Sequence, residues 1–122
     1  MEFGFTEEQE RLRQEVRTFL EEEWQQGLWK PQCDAWIQGF DPDFTRRVAQ
    51  KGWLGLMWPA EYGGQDKGYV DRLIVTEEML RFGAPAACHW FADRQIGGCI
   101  LQYGTDEQKK DCLLYTLTLP TN

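Results

Sequence analysis

Histidine, basic runs and long apolar segments are what this 122-residue chain has least of. A single imidazole, His89, leaves a zinc-type site without a second nitrogen ligand, and Cys33, Cys88, Cys99 and Cys112 form no CxxC pair. No metal ligand is therefore named. Any Ser-His-Asp or Cys-His arrangement has to use His89, whose neighbour Cys88 points about 100° away around a helix. A packed or partly exposed side chain is the ordinary role of such a histidine. GxGxxG and GxxxxGK[ST] are absent, and the Gly-Gly pairs at 63–64 and 97–98 lack the strand that a phosphate loop follows. A net charge of −7 without a basic run argues against nucleic acid and anionic membrane as partners. No stretch reaches the ~18 apolar residues of a membrane span. Met1 to Glu10 lacks an apolar signal core and is too acidic for a transit peptide. These absences point to a soluble, cytoplasmic, reducing setting, with the four cysteines as small core filler.

What is present is ample material for one core, with 42% apolar and 14% aromatic residues. The stretch from Lys51 to Gly64, KGWLGLMWPAEYGG, stands out. It is too rich in glycine for a helix interior and too apolar for a solvated loop, so it reads as a crossover pressed against a core.

Helices flank it. Thr6-Glu7-Glu8-Gln9 has capping-box spacing, and Leu12, Val16, Phe19, Leu20 and Trp24 recur on one face until Gly27. The many Glu of this helix form its solvated face. Gly27 to Gly39 reads as a loop with one short turn around Asp34 to Ile37. Asp41 as N-cap and Pro42 at the first turn open a second helix with Phe44 and Val48 inward and Gly52 as its stop. A third begins near Tyr69, with Val70, Leu73, Ile74 and Leu80 as its inner stripe. Glu77 falls on that stripe, where Arg81 or a group on another helix has to pair with it. Gly83 and Pro85 end it, and a fourth helix follows from about Ala86 to Tyr103. Its inward set is Ala87, Trp90, Phe91, Ile96, Ile100 and Leu101. Gly97 and Gly98 allow close helix contact or a bend. Arg94, beside Asp93 and Gln95, is open to an anion but reads as a surface residue. Thr105-Asp106-Glu107-Gln108 caps a fifth helix. The fold expected is all-α, an up-and-down-like bundle of about five helices joined by the Gly/Trp-rich crossover. Residues 1–112 form the domain, and 113–122 are an off-pattern tail, β-branched and loosely alternating.

Read in order, FTEEQERLRQEVRTFL, FTRRVAQKGWLGLMWPAEYGG, IVTEEMLRFGAP and GTDEQKK resemble the N-terminal helical domain of the acyl-CoA dehydrogenase family, from Phe5 to about Lys110. That resemblance implies FAD at the junction of three domains. It also implies an acyl-CoA thioester as substrate, and a Glu in the C-terminal domain that removes the α-proton as hydride leaves the β-carbon. The β-domain, most of the flavin site and that Glu have no counterpart in these residues, so no catalytic and no cofactor-binding residue is named. Glu77 and Glu78 match a structural pair of the third helix. The implied contribution of this domain is one wall of the acyl pocket, from Gly83 to Gln95, with Ala87, Cys88, Phe91 and Gln95 facing it; ordinary inter-helix packing is the alternative for all four. The tail LLYTLTLPTN departs from the family continuation and reads as a truncation or an alternative end. Two rivals remain. One is a non-catalytic partner docking on a related subunit through an exposed Trp29, Trp36 or Trp53, as a homo- or hetero-oligomer. The other is an inactive truncated product.

Overall fold

The computed structural model describes residues 3–113. Those residues are helical, without a strand, as the all-α reading requires. The elements are α1 (Glu7–Gln25), α2 (Ala35–Gln38), α3 (Pro42–Gln50), a 3-10 turn (Ala60–Tyr62), α4 (Tyr69–Phe82), α5 (Ala87–His89), a π-helical stretch (Trp90–Ile96), α6 (Gly97–Tyr103), α7 (Asp106–Gln108) and a π-turn (Lys109–Leu113). Residues 87–103 run on as one rod, the fourth helix of the sequence, with the wider π-turn in its middle. The tail beyond Leu113 lies outside the described residues; Leu113 itself is buried.

Local chemistry sets the helix starts. Thr6 Oγ1 accepts from Gln9 N while the Gln9 side chain accepts from Thr6 N, so both orphan donors are satisfied. Asp41 Oδ1 accepts from the amides of Asp43 and Phe44 ahead of Pro42. Thr105 and Gln108 repeat the capping box.

The core joins Val16 and Leu20 of α1, Phe44 and Val48 of α3, Trp53 and Leu56 of the crossover, and Val75 and Met79 of α4. The crossover is buried through Trp53, Leu54, Leu56 and Trp58. Its glycines make that burial sterically feasible at two points. A Cβ on Gly64 would overlap the Trp58 carbonyl, and one on Gly97 would overlap the Trp58 indole. Trp58 is thus seated between crossover and rod, and of the two offered roles Gly97 takes close contact.

Three apolar readings are corrected. Trp24 is 52% exposed, because Glu23 takes the inward position, held by Trp29 Nε1 at 3.1 Å and by Arg47. On α4 the buried set is Ile74, Val75, Glu78 and Met79, whereas Val70, Leu73 and Leu80 face outward. This helix is apolar on both sides, so periodicity does not fix its rotation; an ion cluster does. Glu78, 1% exposed, accepts from Arg13 at 2.9 Å and Arg17 at 2.8 Å, and Arg81 approaches to 3.9 Å. Glu77 reaches across to Arg13 at 2.8 Å. On the rod, Ala87 is buried, but Phe91 and Ile96 are exposed. The cysteines are not core filler: Cys33, Cys99 and Cys112 are exposed and Cys88 is half-buried, and none of them is in a disulfide. Trp29 and Trp53 are buried and unavailable for docking; Trp36 is exposed at the margin.

Burial pushes the Glu78 carboxyl up, but hydrogen bonds from Arg17 and Arg13 outweigh it and hold the group below its usual 4.5. Its contribution is therefore fully present above pH 4.5 and drains away as the pH falls below that value. Glu78→Gln is expected to cost about 2–3 kcal/mol at neutral pH, since it strands two part-buried arginines. Glu77→Gln, half-exposed, is expected to cost under ~1 kcal/mol. Urea unfolding of both variants at pH 7 and pH 3.5 checks the difference, which is expected to shrink at the lower pH.

Candidate functional site

The rod over residues 87–103 is widened by a π-turn at Trp90–Ile96, a distortion common where side chains must be re-aimed. Ala86 just before it and His89, Trp90, Asp93 and Arg94 on it line a cavity of about 50 Å³ together with Trp36, Trp53, Arg72, Val75, Thr76, Met79 and Leu80. Cys88, Phe91 and Gln95 do not line that cavity.

Of the four residues expected at the pocket wall, Phe91 is 45% exposed, Gln95 is exposed, Cys88 is half-buried and Ala87 is buried. None of the four lines the cavity. Burial raises the Cys88 thiol above its ordinary range, which keeps it a neutral group.

The cavity lining holds the perturbed groups. His89, 8% exposed, lies flat on Phe44 with ring centroids 5.7 Å apart, and its Nε2 is 2.9 Å from Thr45 Oγ1. Burial lowers its pKa to about 4, so the ring is neutral at pH 7 and packed, as the sequence reading has it. Asp93 is desolvated as well, and its pKa rises to about 6, against the pull of the Gly55 amide and Arg72. Its backbone carbonyl accepts from Trp58 Nε1 at 3.3 Å. Arg94 stacks over the Trp90 ring at 4.3 Å and is exposed, a surface residue as expected. Sequence reasoning gave Asp93 no role. The only available signal was a carboxylate three residues beyond Trp90 on an otherwise apolar side, too weak to act on. Among the described residues no group of His, Cys, Asp and Glu is placed to hold a metal ion.

The two titrations oppose one another. Asp93 keeps its proton to about pH 6 when folded but only to 3.8 when free, so between these values acid strengthens the fold. His89 protonates at 6.5 when free and only near 4 when folded, so over that span acid weakens it. Asp93→Asn is expected to raise the melting temperature over the unmodified chain most at pH 7.5, with the gain shrinking as the pH falls through 6. His89→Phe is expected to behave oppositely, gaining on the unmodified chain as the pH falls from 6.5 to 4. Circular-dichroism melts across pH 4 to 7.5 measure both.

The family model described as "Acyl-CoA dehydrogenase, N-terminal domain" matches residues 6–118. The chain is 34% identical over 114 residues to acyl-CoA dehydrogenase FadE26 of Mycobacterium tuberculosis, covering 90% of this chain and 28% of that protein. It is 31% identical over 118 residues to glutaryl-CoA dehydrogenase of Desulfococcus multivorans, covering 90% and 28%. In structure it is similar to a chain of the ChsE4-ChsE5 complex from Mycobacterium tuberculosis, at a TM-score of 0.75 and 31% identity over 98% of this chain and 30% of that one. A chain of the Tcur3481-Tcur3483 steroid ACAD gives a TM-score of 0.72 at 26% identity, covering 97% of this chain and 30% of that one. The chain therefore spans under a third of the relatives it matches. With the helix order, the crossover and the length of the match in agreement, it belongs to the acyl-CoA dehydrogenase family, as its N-terminal helical domain.

Proposed function

We propose that this domain forms one wall of the acyl pocket in an FAD-dependent enzyme that dehydrogenates an acyl-CoA thioester between its α and β carbons. The observation that supports this is the exposure of uncharged side chains on the rod: Phe91 and Gln95 are exposed, Cys88 is half-buried and Ala87 is buried. Such a surface suits a neutral acyl chain, because closing over it excludes water without burying an unpaired charge. The same residues fit only one side of a flavin site, since they offer neither a phosphate loop nor a cation. FAD, when bound, accepts the hydride. This chain orients the acyl group and keeps solvent from it. In this reading the Gln95 amide hydrogen-bonds a polar group of the substrate, and Phe91 sets the space left for the chain. The exposed thiols of Cys33, Cys99 and Cys112 suit a reducing, cytoplasmic setting.

A second reading is that the chain docks as a non-catalytic partner on a related subunit. It draws on the ChsE4-ChsE5 complex, which pairs two named chains. Here the outward Val70, Leu73 and Leu80 of α4, with Trp36, supply apolar area.

These 122 residues alone are expected to reduce no dye acceptor with any acyl-CoA. Joined to the remaining segments of FadE26, they are expected to give a yellow protein that does. In that hybrid, Phe91→Ala is expected to raise kcat/KM for branched or bulky acyl-CoA relative to short linear ones by about 10-fold or more, the scale of one methylene contact. Turnover by the chain alone, or a hybrid whose acyl preference ignores Phe91, contradicts the proposal.

A further inference from the structure

His89 Nδ1 and Asp93 Oδ1 are buried, have no partner among the described residues and belong to residues lining the same cavity. Neither group serves the acyl wall, so a role for the pair is independent of that reading. The imidazole is fixed by its stacking on Phe44 and by Thr45 Oγ1 at Nε2. The Asp93 carboxylate is fixed by the Gly55 amide. Four residues apart on one rod, the two side chains are neighbours.

The size of the space decides what it takes. At about 50 Å³ it is far smaller than the ~150 Å³ apolar cavity that accepts benzene, yet it exceeds the ~10–15 Å³ that a cavity needs to hold one water. Buried polar atoms are almost always paired, with protein or with ordered water. We propose that the cavity between α4 and the rod is a built water site, in which one or two waters bridge His89 Nδ1 and Asp93 Oδ1. His89 Nδ1–H donates to the water, the water donates to Asp93 Oδ1, and Thr45 Oγ1–H donates to His89 Nε2. Charge facing the site comes from Arg72 on α4 and Arg94 on the rod itself; the crossover contributes the Gly55 amide and the Trp53 ring, and α2 contributes Trp36. The bridge ties the crossover and α3 to the rod without an ion pair.

Long-range ¹H–¹⁵N spectra of the full 122-residue chain read the His89 tautomer, and water-selective exchange spectra read contact between water and its ring proton. The Nδ1-protonated neutral ring with a cross-peak to long-lived water is the expected result. Asp93→Leu, which removes the carboxylate and fills the space, is expected to abolish that cross-peak while helical circular dichroism persists. An Nε2-protonated ring, or a ring proton without a water contact, overturns the proposal. Should the Leu variant not fold, the spectra of the unmodified chain decide the matter alone.

Discussion

The rotation of α4 about its own axis is the constraint on which the rest of this domain depends, and a buried carboxylate sets it. Apolar residues on both sides of α4 give two faces of similar hydrophobicity, so area burial alone leaves its orientation open. Glu78 breaks the tie. Turned toward α1 it meets Arg13 and Arg17. Turned outward it would leave both guanidinium groups without their strongest partner. A buried ion pair contributes little net stability when weighed against an apolar alternative. Here it selects one packing among several, because every other rotation leaves a part-buried charge unmatched.

That choice propagates. With Glu78, Ile74, Val75 and Met79 inward, α4 presents Val75 and Met79 to the core beside Trp53, and Val70, Leu73 and Leu80 to the outside. The crossover then closes the other side. Trp58, admitted by the absence of a side chain at Gly64 and Gly97, hydrogen-bonds the Asp93 carbonyl and fixes the rod against the core. The π-turn at residues 90–96 sits at that contact.

Helix starts were legible because capping is local. Thr6, Asp41 and Thr105 act through amides two or three residues away, and short sequence windows contain the whole interaction. The crossover was legible because Gly and Trp in close alternation have few other uses. Inward faces were less so. Trp24 loses to Glu23 only because Trp29 and Arg47 are near, and Glu77 yields the buried place to Glu78 only because Arg13 and Arg17 lie across the interface. These partners are distant in sequence, and one-dimensional periodicity treats an acid as outward by default. Asp93 was missed for the same reason: its burial is created by Trp58 and the crossover, not by its neighbours.

The outward apolar residues then acquire a common cause. α4 carries apolar side chains on both of its faces, interspersed with Asp71, Arg72, Glu77, Glu78 and Arg81. Val70, Leu73, Leu80, Phe91 and Ile96 stay exposed because the arginines around Glu78 and the seat of Trp58 have already committed α4 and the rod to α1 and the crossover. Internal polar contacts therefore fix which surface is left over.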